Sequence, residues 1–152
     1  MGLDMYLTKQ IYIGAQYEHR EVKGIVDIAV NDKPLLINFN RISYIIESVA
    51  YWRKANAIHK WFVDYCQDGV DECQETEVSS TKLEELLSLA KQVKANPALA
   101  EELLPPQSGF FFGSTDYDTW YFDDIEKTID QLEKILAEPD GKTSWYTYQA
   151  SW

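Results

Sequence analysis

ISYIIESVAYWRKANAIHKWFVDYC, residues 42–66, contains both of the apolar periodicities that decide the architecture. Its first part, 42–52, is enriched in Ile, Val and Tyr and alternates through Ile45, Glu47, Val49 and Tyr51. In a run short enough to be strand or helix, that composition and period favour a strand. From Trp52 the spacing changes. At 100° per residue, Ala55, Ile58, Phe62, Tyr65 and Cys66 gather on one side and Arg53, Ala57, Lys60 and Asp64 on the other, which predicts an amphipathic helix over 52–66.

Working outward, GLDMYLTKQIYI (2–13) alternates Leu3, Met5 and Leu7 against Asp4, Tyr6 and Thr8, a second strand. After the polar EHREVKG, the run IVDIAVNDKPLLINF holds two β-branched stretches around Asn31-Asp32-Lys33-Pro34, the pattern of a hairpin. C-terminal to the helix, QDGVDE reads as a turn and CQETEV as a short acidic edge strand. TKLE (81–84) has capping-box spacing, followed by the stripe Leu83, Leu86, Leu87, Ala90 and Val93. NPALAEELLPP is a helical turn stopped by Pro105-Pro106, and SGFFFG reads as a buried strand through Phe110–Phe112. A third long helix is expected from Asp118 to Ala137, with the stripe Ile125, Ile129, Leu132 and Leu136. EPDGK is a stop and turn, and the alternating aromatics of TSWYTYQASW fit a final strand or a contact between copies, so a homo-oligomer is compatible with the tail. The expected fold is α+β: one domain, with an antiparallel or mixed sheet packed with about three α-helices.

The 152-residue chain is long enough to build a core without a metal or disulfide staple. Its charge is lopsided. Residues 1–60 carry eight Lys/Arg against six Asp/Glu, net +2; residues 61–152 carry six against nineteen, net −13, which together give the chain's −11. Such a protein is a poor ligand for nucleic acid or an anionic membrane, because both begin with phosphate neutralisation. It is better suited to solubility, or to a basic protein partner. No apolar run approaches the ~20 residues of a membrane span, and MGLDMYLTKQ lacks the basic and apolar regions of a secretory leader. Cys66 and Cys73 are therefore expected as free thiols in a reducing cytoplasm.

The motifs exclude more chemistry than they support. His59, Cys66 and Cys73 lack zinc-ligand spacing, and the acids around Gly69 lack the order of a calcium loop, so no metal is expected. GSTDYD is neither of the Gly-rich loops that cradle phosphates, and no cofactor motif occurs elsewhere. No nucleophile motif accompanies either histidine, so no catalytic residue is assigned. Two segments suggest binding. In the expected helix, Trp52, Asn56, His59 and Val63 run along the border of the apolar face, with Arg53 close by. Trp stacks, Arg pairs with phosphate or carboxylate, and Asn offers an amide edge. In the turn Ser114, Thr115, Asp116 and Tyr117, polar groups precede a helix, and seven rings lie between Phe110 and Phe122. Ser114, Thr115, Asp116 or Asp118 would cap that helix, and Asp116, Asp118, Asp123 and Asp124 compete with any anion for its N-terminus, which favours a ligand bearing hydroxyl or amino donors, or a cation. If the two segments meet in space, they form the two walls of a ligand site.

The blocks MGLDMYL, YWRKANAIHKWFV and QSGFFFGSTDYDTWY, in that order and followed by a tail ending ASW, resemble an uncharacterised family of small bacteriophage and prophage proteins. The resemblance implies a phage accessory protein in the cytoplasm of a bacterial host, and it implies no catalytic residues. Three readings fit that setting. The first is a protein that binds or sequesters a small polar, anionic or nucleotide-like ligand, in the service of countering host defence. The second is an acidic decoy that occupies a host nuclease or DNA-binding protein through the carboxylates of 64–77 and 116–140. The third is an enzyme using His59 as general base with Asp116 as acid or orienting group.

Overall fold

The computed structural model describes residues 2–139, 141 and 143–152. Met1 of the MGLDMYL block, and Asp140 and Lys142 of the EPDGK turn, lie outside the described residues. Four strands form an antiparallel sheet: β1 (Asp4–Tyr12), β4 (Tyr44–Arg53), β5 (Thr76–Val78) and β6 (Ser144–Ser151), in the order β4-β1-β6-β5. A separate hairpin joins β2 (Ile28–Val30) to β3 (Lys33–Leu35). The helices are α1 (Asn56–Cys66), α2 (Ser80–Ala95), the single-turn α3 (Ala100–Leu103) and α4 (Thr119–Ala137). The fold is α+β, as its sequence pattern predicts, with every strand pair antiparallel.

The alternation of β1 sets the layers. Leu3, Met5 and Leu7 are fully buried towards the helices, together with Ala50 and Trp52 of β4 and Tyr146, Tyr148 and Ala150 of β6. Asp4, Tyr6 and Tyr51 point to the opposite face, where the Tyr51 hydroxyl donates to the Asp4 carboxylate. Against the buried face, Phe62 of α1 stacks on Tyr148 with ring centres 3.9 Å apart and planes 8° apart. Ile125, Ile129 and Leu132 of α4 and Leu83, Leu86, Ala90 and Val93 of α2 complete the core. Trp52 is held by more than packing: its indole N–H donates to Thr128 Oγ1 at 2.9 Å, and that hydroxyl donates to the Asp124 carbonyl at 2.7 Å. The aromatic tail is β6, an interior strand between β1 and β5.

Four expectations need correction. The second helix is capped by Ser79, whose Oγ accepts from the Lys82 amide, and not by Thr81. The first helix begins at Asn56 rather than Trp52, because Trp52 and Arg53 are still paired with Met5 and Asp4 in the sheet. On α4 the expected stripe is incomplete: Ile135 is also buried, while Leu136 is only partly buried against the core. SGFFFG is not a strand: both edges of β1 are already taken by β4 and β6. The segment bends instead, with the Phe112 amide donating to the Gly109 carbonyl. Phe112 is buried, while Phe110 is 93% exposed.

Candidate functional site

The site forms where β4 turns into α1. Lys54 makes that turn at φ 58°, in the left-handed region that a residue with a side chain adopts at a cost of about 1 kcal/mol or more. Its amide donates to the Leu3 carbonyl at 2.7 Å, and its carbonyl accepts from the Asn56 amide at 2.9 Å. The Asn56 side chain then draws the segment before α4 onto the start of α1. Its Nδ2 donates to the carbonyls of Phe112 (3.0 Å) and Ser114 (2.8 Å), and its Oδ1 accepts from the Gln107 amide (3.2 Å). Gly113, at φ +88°, makes the bend between the two bound carbonyls. The result is a cleft of about 560 Å³ whose walls are Arg53 to Ile58 on one side and Gly113, Ser114, Asp116 and the first turns of α4 on the other. That volume lies in the ordinary range of small-molecule sites, ~300–1,000 Å³.

The two walls differ in charge. On the first, Arg53 and Lys54 flank the start of α1, whose opening turn carries no acid and whose N-cap, Ala55, offers no capping oxygen. The amides there and the positive end of the helix dipole reinforce the two cations. On the second wall α4 carries its own cap: Asp118 Oδ1 accepts from the Tyr121 amide at 3.0 Å. Asp116, Asp118 and Asp124 all face the cleft. Burial pushes the Asp124 carboxyl up to about 6, with Lys127 opposing the rise and Asp123 and Asp118 adding to it. Trp120, 78% exposed, stands on the rim. Beneath it, burial raises the Tyr121 phenol well above its usual value, and its hydroxyl donates to the Leu104 carbonyl at 2.8 Å. A cleft with cations at one end, carboxyls at the other and an indole at its lip suits a ligand with an anionic group, hydrogen-bond donors and a planar ring.

No family model, curated protein or solved structure matches this chain.

The structure brings together half of the residues that the sequence singles out. Arg53, Asn56, Ser114 and Asp116 line the cleft, so the two segments do meet. Thr115 and Tyr117 are exposed beside it but do not line it, and the Tyr117 ring packs on Tyr121. Trp52 and His59 point into the core. Sequence reasoning missed Lys54, Trp120 and Asp124 as cleft residues. Asp124 and Trp120 are four apart on α4, so helical spacing alone places both on one face.

His59 has its own buried network, away from the cleft. Its Nε2 lies 2.9 Å from Asp71 Oδ2 and its Nδ1 lies 2.8 Å from the Tyr148 hydroxyl. A carboxylate only accepts, so Nε2–H donates to Asp71 and Nδ1 accepts from Tyr148, which satisfies the neutral ring. Asp71 also accepts from the Trp152 indole at 3.1 Å. His59 is fully buried, its ring edge-on to Phe112 at 5.1 Å, and its carboxylate partner is Asp71 rather than Asp116. Its role in this geometry is to tie α1, β6 and the 67–75 loop together. Cys66 is similarly inert, since burial pushes its thiol up to about 11. Among the described residues no cluster of His, Cys, Asp or Glu could hold a metal ion. Among the same residues, no helix is long and apolar enough to cross a membrane.

Proposed function

We propose that the protein binds a small polar molecule of nucleotide-like character in the cleft between α1 and α4. The anionic group would sit on the uncapped start of α1 between Arg53 and Lys54. Donor groups of the ligand would face Asp116 and Asp124, with a ring against Trp120. The observation that supports this reading is the asymmetry of the walls. Two helix N-termini border one cleft; one is closed by its own aspartate, and the other has cations and no cap. The resemblance to phage proteins sets such a binder in a bacterial cytoplasm, where sequestering a host signal would serve it.

The acidic-decoy reading ranks second, because several of the acids it needs are already paired. Glu126 lies 3.0 Å from Lys94 and Glu133 2.7 Å from Lys91, which bridges α4 to α2. The test is native mass spectrometry of protein purified gently from a bacterial host, with mononucleotides titrated against the emptied protein by thermal shift. A bound small mass that is lost in both Arg53→Ala and Asp124→Ala supports the cleft. Bare protein, with no thermal shift by any mononucleotide at millimolar concentration, refutes it, since a ligand at ~100 Kd stabilises by about 2.7 kcal/mol.

A further inference from the structure

The three carboxylates of the second wall are not equivalent. Asp118 spends Oδ1 on the cap of α4. Asp116 Oδ2 accepts from the Ser114 hydroxyl at 3.1 Å, and the Asp116 amide donates back to that hydroxyl at 3.0 Å. The half-buried Asp124 carboxylate differs from both. Its backbone carbonyl accepts from Thr128, but its side chain enters no hydrogen bond or salt bridge among the described residues. The cations around it are engaged elsewhere. Lys127, three residues on, holds its ammonium over the Tyr51 ring at 5.4 Å, and Arg53 across the cleft turns its Nε towards Asp4 Oδ1 at 3.9 Å. Native proteins rarely leave a partly buried polar group without a partner, so this one calls for an explanation. Because Asp124 lines the cleft, a ligand there can supply the partner.

We propose that the base read by the cleft is guanine, its N1–H and N2–H both donating to the Asp124 carboxylate while its ring lies on Trp120. The inference rests on the nucleotide-like reading of the cleft and names which nucleotide it takes. Trp120 and Asp124 stand four apart on α4 and both line the cleft. Residues so spaced are neighbours on one helix face, about 5–6 Å apart at Cβ, so a planar ring on the indole turns its edge to the carboxylate. An ionised carboxylate only accepts, and its two oxygens take a pair of parallel donors best. Guanine sets two donors side by side on its pairing edge. Adenine and cytosine place a ring-nitrogen acceptor beside their amino group, and uracil flanks its single N–H with two carbonyls. With any of these, one Asp124 oxygen would face a lone pair. Reading a base by its pairing edge while stacking it on a ring is an ordinary mode of recognition. The phosphate of the same molecule then falls to Arg53 and Lys54 on the opposite wall.

The experiment is isothermal titration calorimetry of the intact chain with GMP, IMP, AMP, CMP and UMP at about pH 7.5, where the Asp124 carboxyl, raised to about 6 by burial, is ionised. GMP should bind about 10–100-fold more tightly than IMP, which lacks the N2 amino group and hence one charge-assisted hydrogen bond. The margin over AMP, CMP and UMP should be larger still. Asp124→Asn keeps the side chain's shape and replaces one acceptor with a donor. It should weaken GMP by about tenfold or more and turn the preference to XMP, whose C2 carbonyl stands where guanine has its amino group. Trp120→Ala should weaken every base and leave the ratio of GMP to IMP unchanged. IMP or AMP binding as tightly as GMP overturns the guanine assignment and leaves the nucleotide reading of the cleft standing. An Asp124→Asn variant that still prefers GMP to XMP does the same. Failure of all five mononucleotides to bind overturns both.

Discussion

Asn56 is the residue on which the cleft most depends, and Asn56→Ala tests the account quantitatively. The buried side chain makes three hydrogen bonds to backbone between Gln107 and Ser114, and among the described residues it is the only α1 side chain that hydrogen-bonds this segment. Its loss orphans two carbonyls and one amide. At a net ~0.5–1.5 kcal/mol per bond the sum is roughly 2–4 kcal/mol. Ser114 is exposed, so water can replace its bond, while the bond to the buried Phe112 has no such substitute. The expected destabilisation is therefore about 3 kcal/mol, or ~6–12 °C in melting temperature for a chain of this size. Urea denaturation measures the first and calorimetry the second. Hydrogen exchange adds a local readout: the Gln107 amide, which donates to Asn56 Oδ1, should lose protection, while the amides of β1 exchange faster only in proportion to the loss of global stability. A loss below ~1 kcal/mol with Gln107 still protected would show that the segment holds its place without Asn56. Asn56 would then not be what frames the cleft.

Two further predictions address the neighbouring chemistry. The Asp124 carboxyl is raised from 3.8 to about 6 in the folded protein, so the folded state holds the proton more tightly than the unfolded one. Its stabilising contribution is complete below the unfolded value and is lost as pH rises through about 6; Asp124→Asn should thus gain stability relative to the parent at about pH 7.5 compared with about pH 5, measured by urea denaturation, and equal differences at both pH values would refute the burial argument. The bend at 109–113 predicts opposite fates for two rings that a strand would put on one face: Phe110→Ala should change stability by less than ~0.5 kcal/mol and Phe112→Ala should cost about 3–5 kcal/mol, and comparable losses in a denaturant titration would restore the strand reading.

The elements were legible wherever one face alone meets the core. β1, α2 and α4 bury the positions that their periods mark, and the Asn-Asp turn announces its hairpin. Legibility failed where tertiary demand overrode local pattern. Nothing in SGFFFG reveals that β1 has no free edge left, so three aromatics between glycines pass for a strand. The helical phase of Trp52 and Arg53 matches that of 56–66, yet sheet pairing claims both, and only Lys54's left-handed backbone separates the two elements. His59 was misplaced for a related reason. α1 is buried on more than one side, with Asn56, Ala57, Ile58, His59, Trp61, Phe62 and Val63 all covered, so it has no polar border there for a stripe to occupy.

The same override explains why the cleft lies where it does. A strand that ran straight into a helix at Trp52 would carry Arg53 around the helix and leave no opening beside it. Starting the helix at Asn56 instead leaves two residues of turn, Lys54 and Ala55, which place the start of α1 beside two cations. The asparagine that begins α1 spends its polar groups on the opposite wall, so it cannot also cap its own helix. Ala55, the residue in the capping position, has no oxygen to offer. One side chain thus closes the cleft's frame while the start of α1, where the proposed anion would sit, keeps no side-chain cap. A serine at position 55 would reach the same amides from within the chain. Because Ala55 is buried, the small Ala55→Ser rather than a charged replacement is the test: by capping α1 it should lower any anion affinity, measured by thermal shift with inorganic phosphate, and an unchanged affinity would refute the part given to the uncapped start of α1.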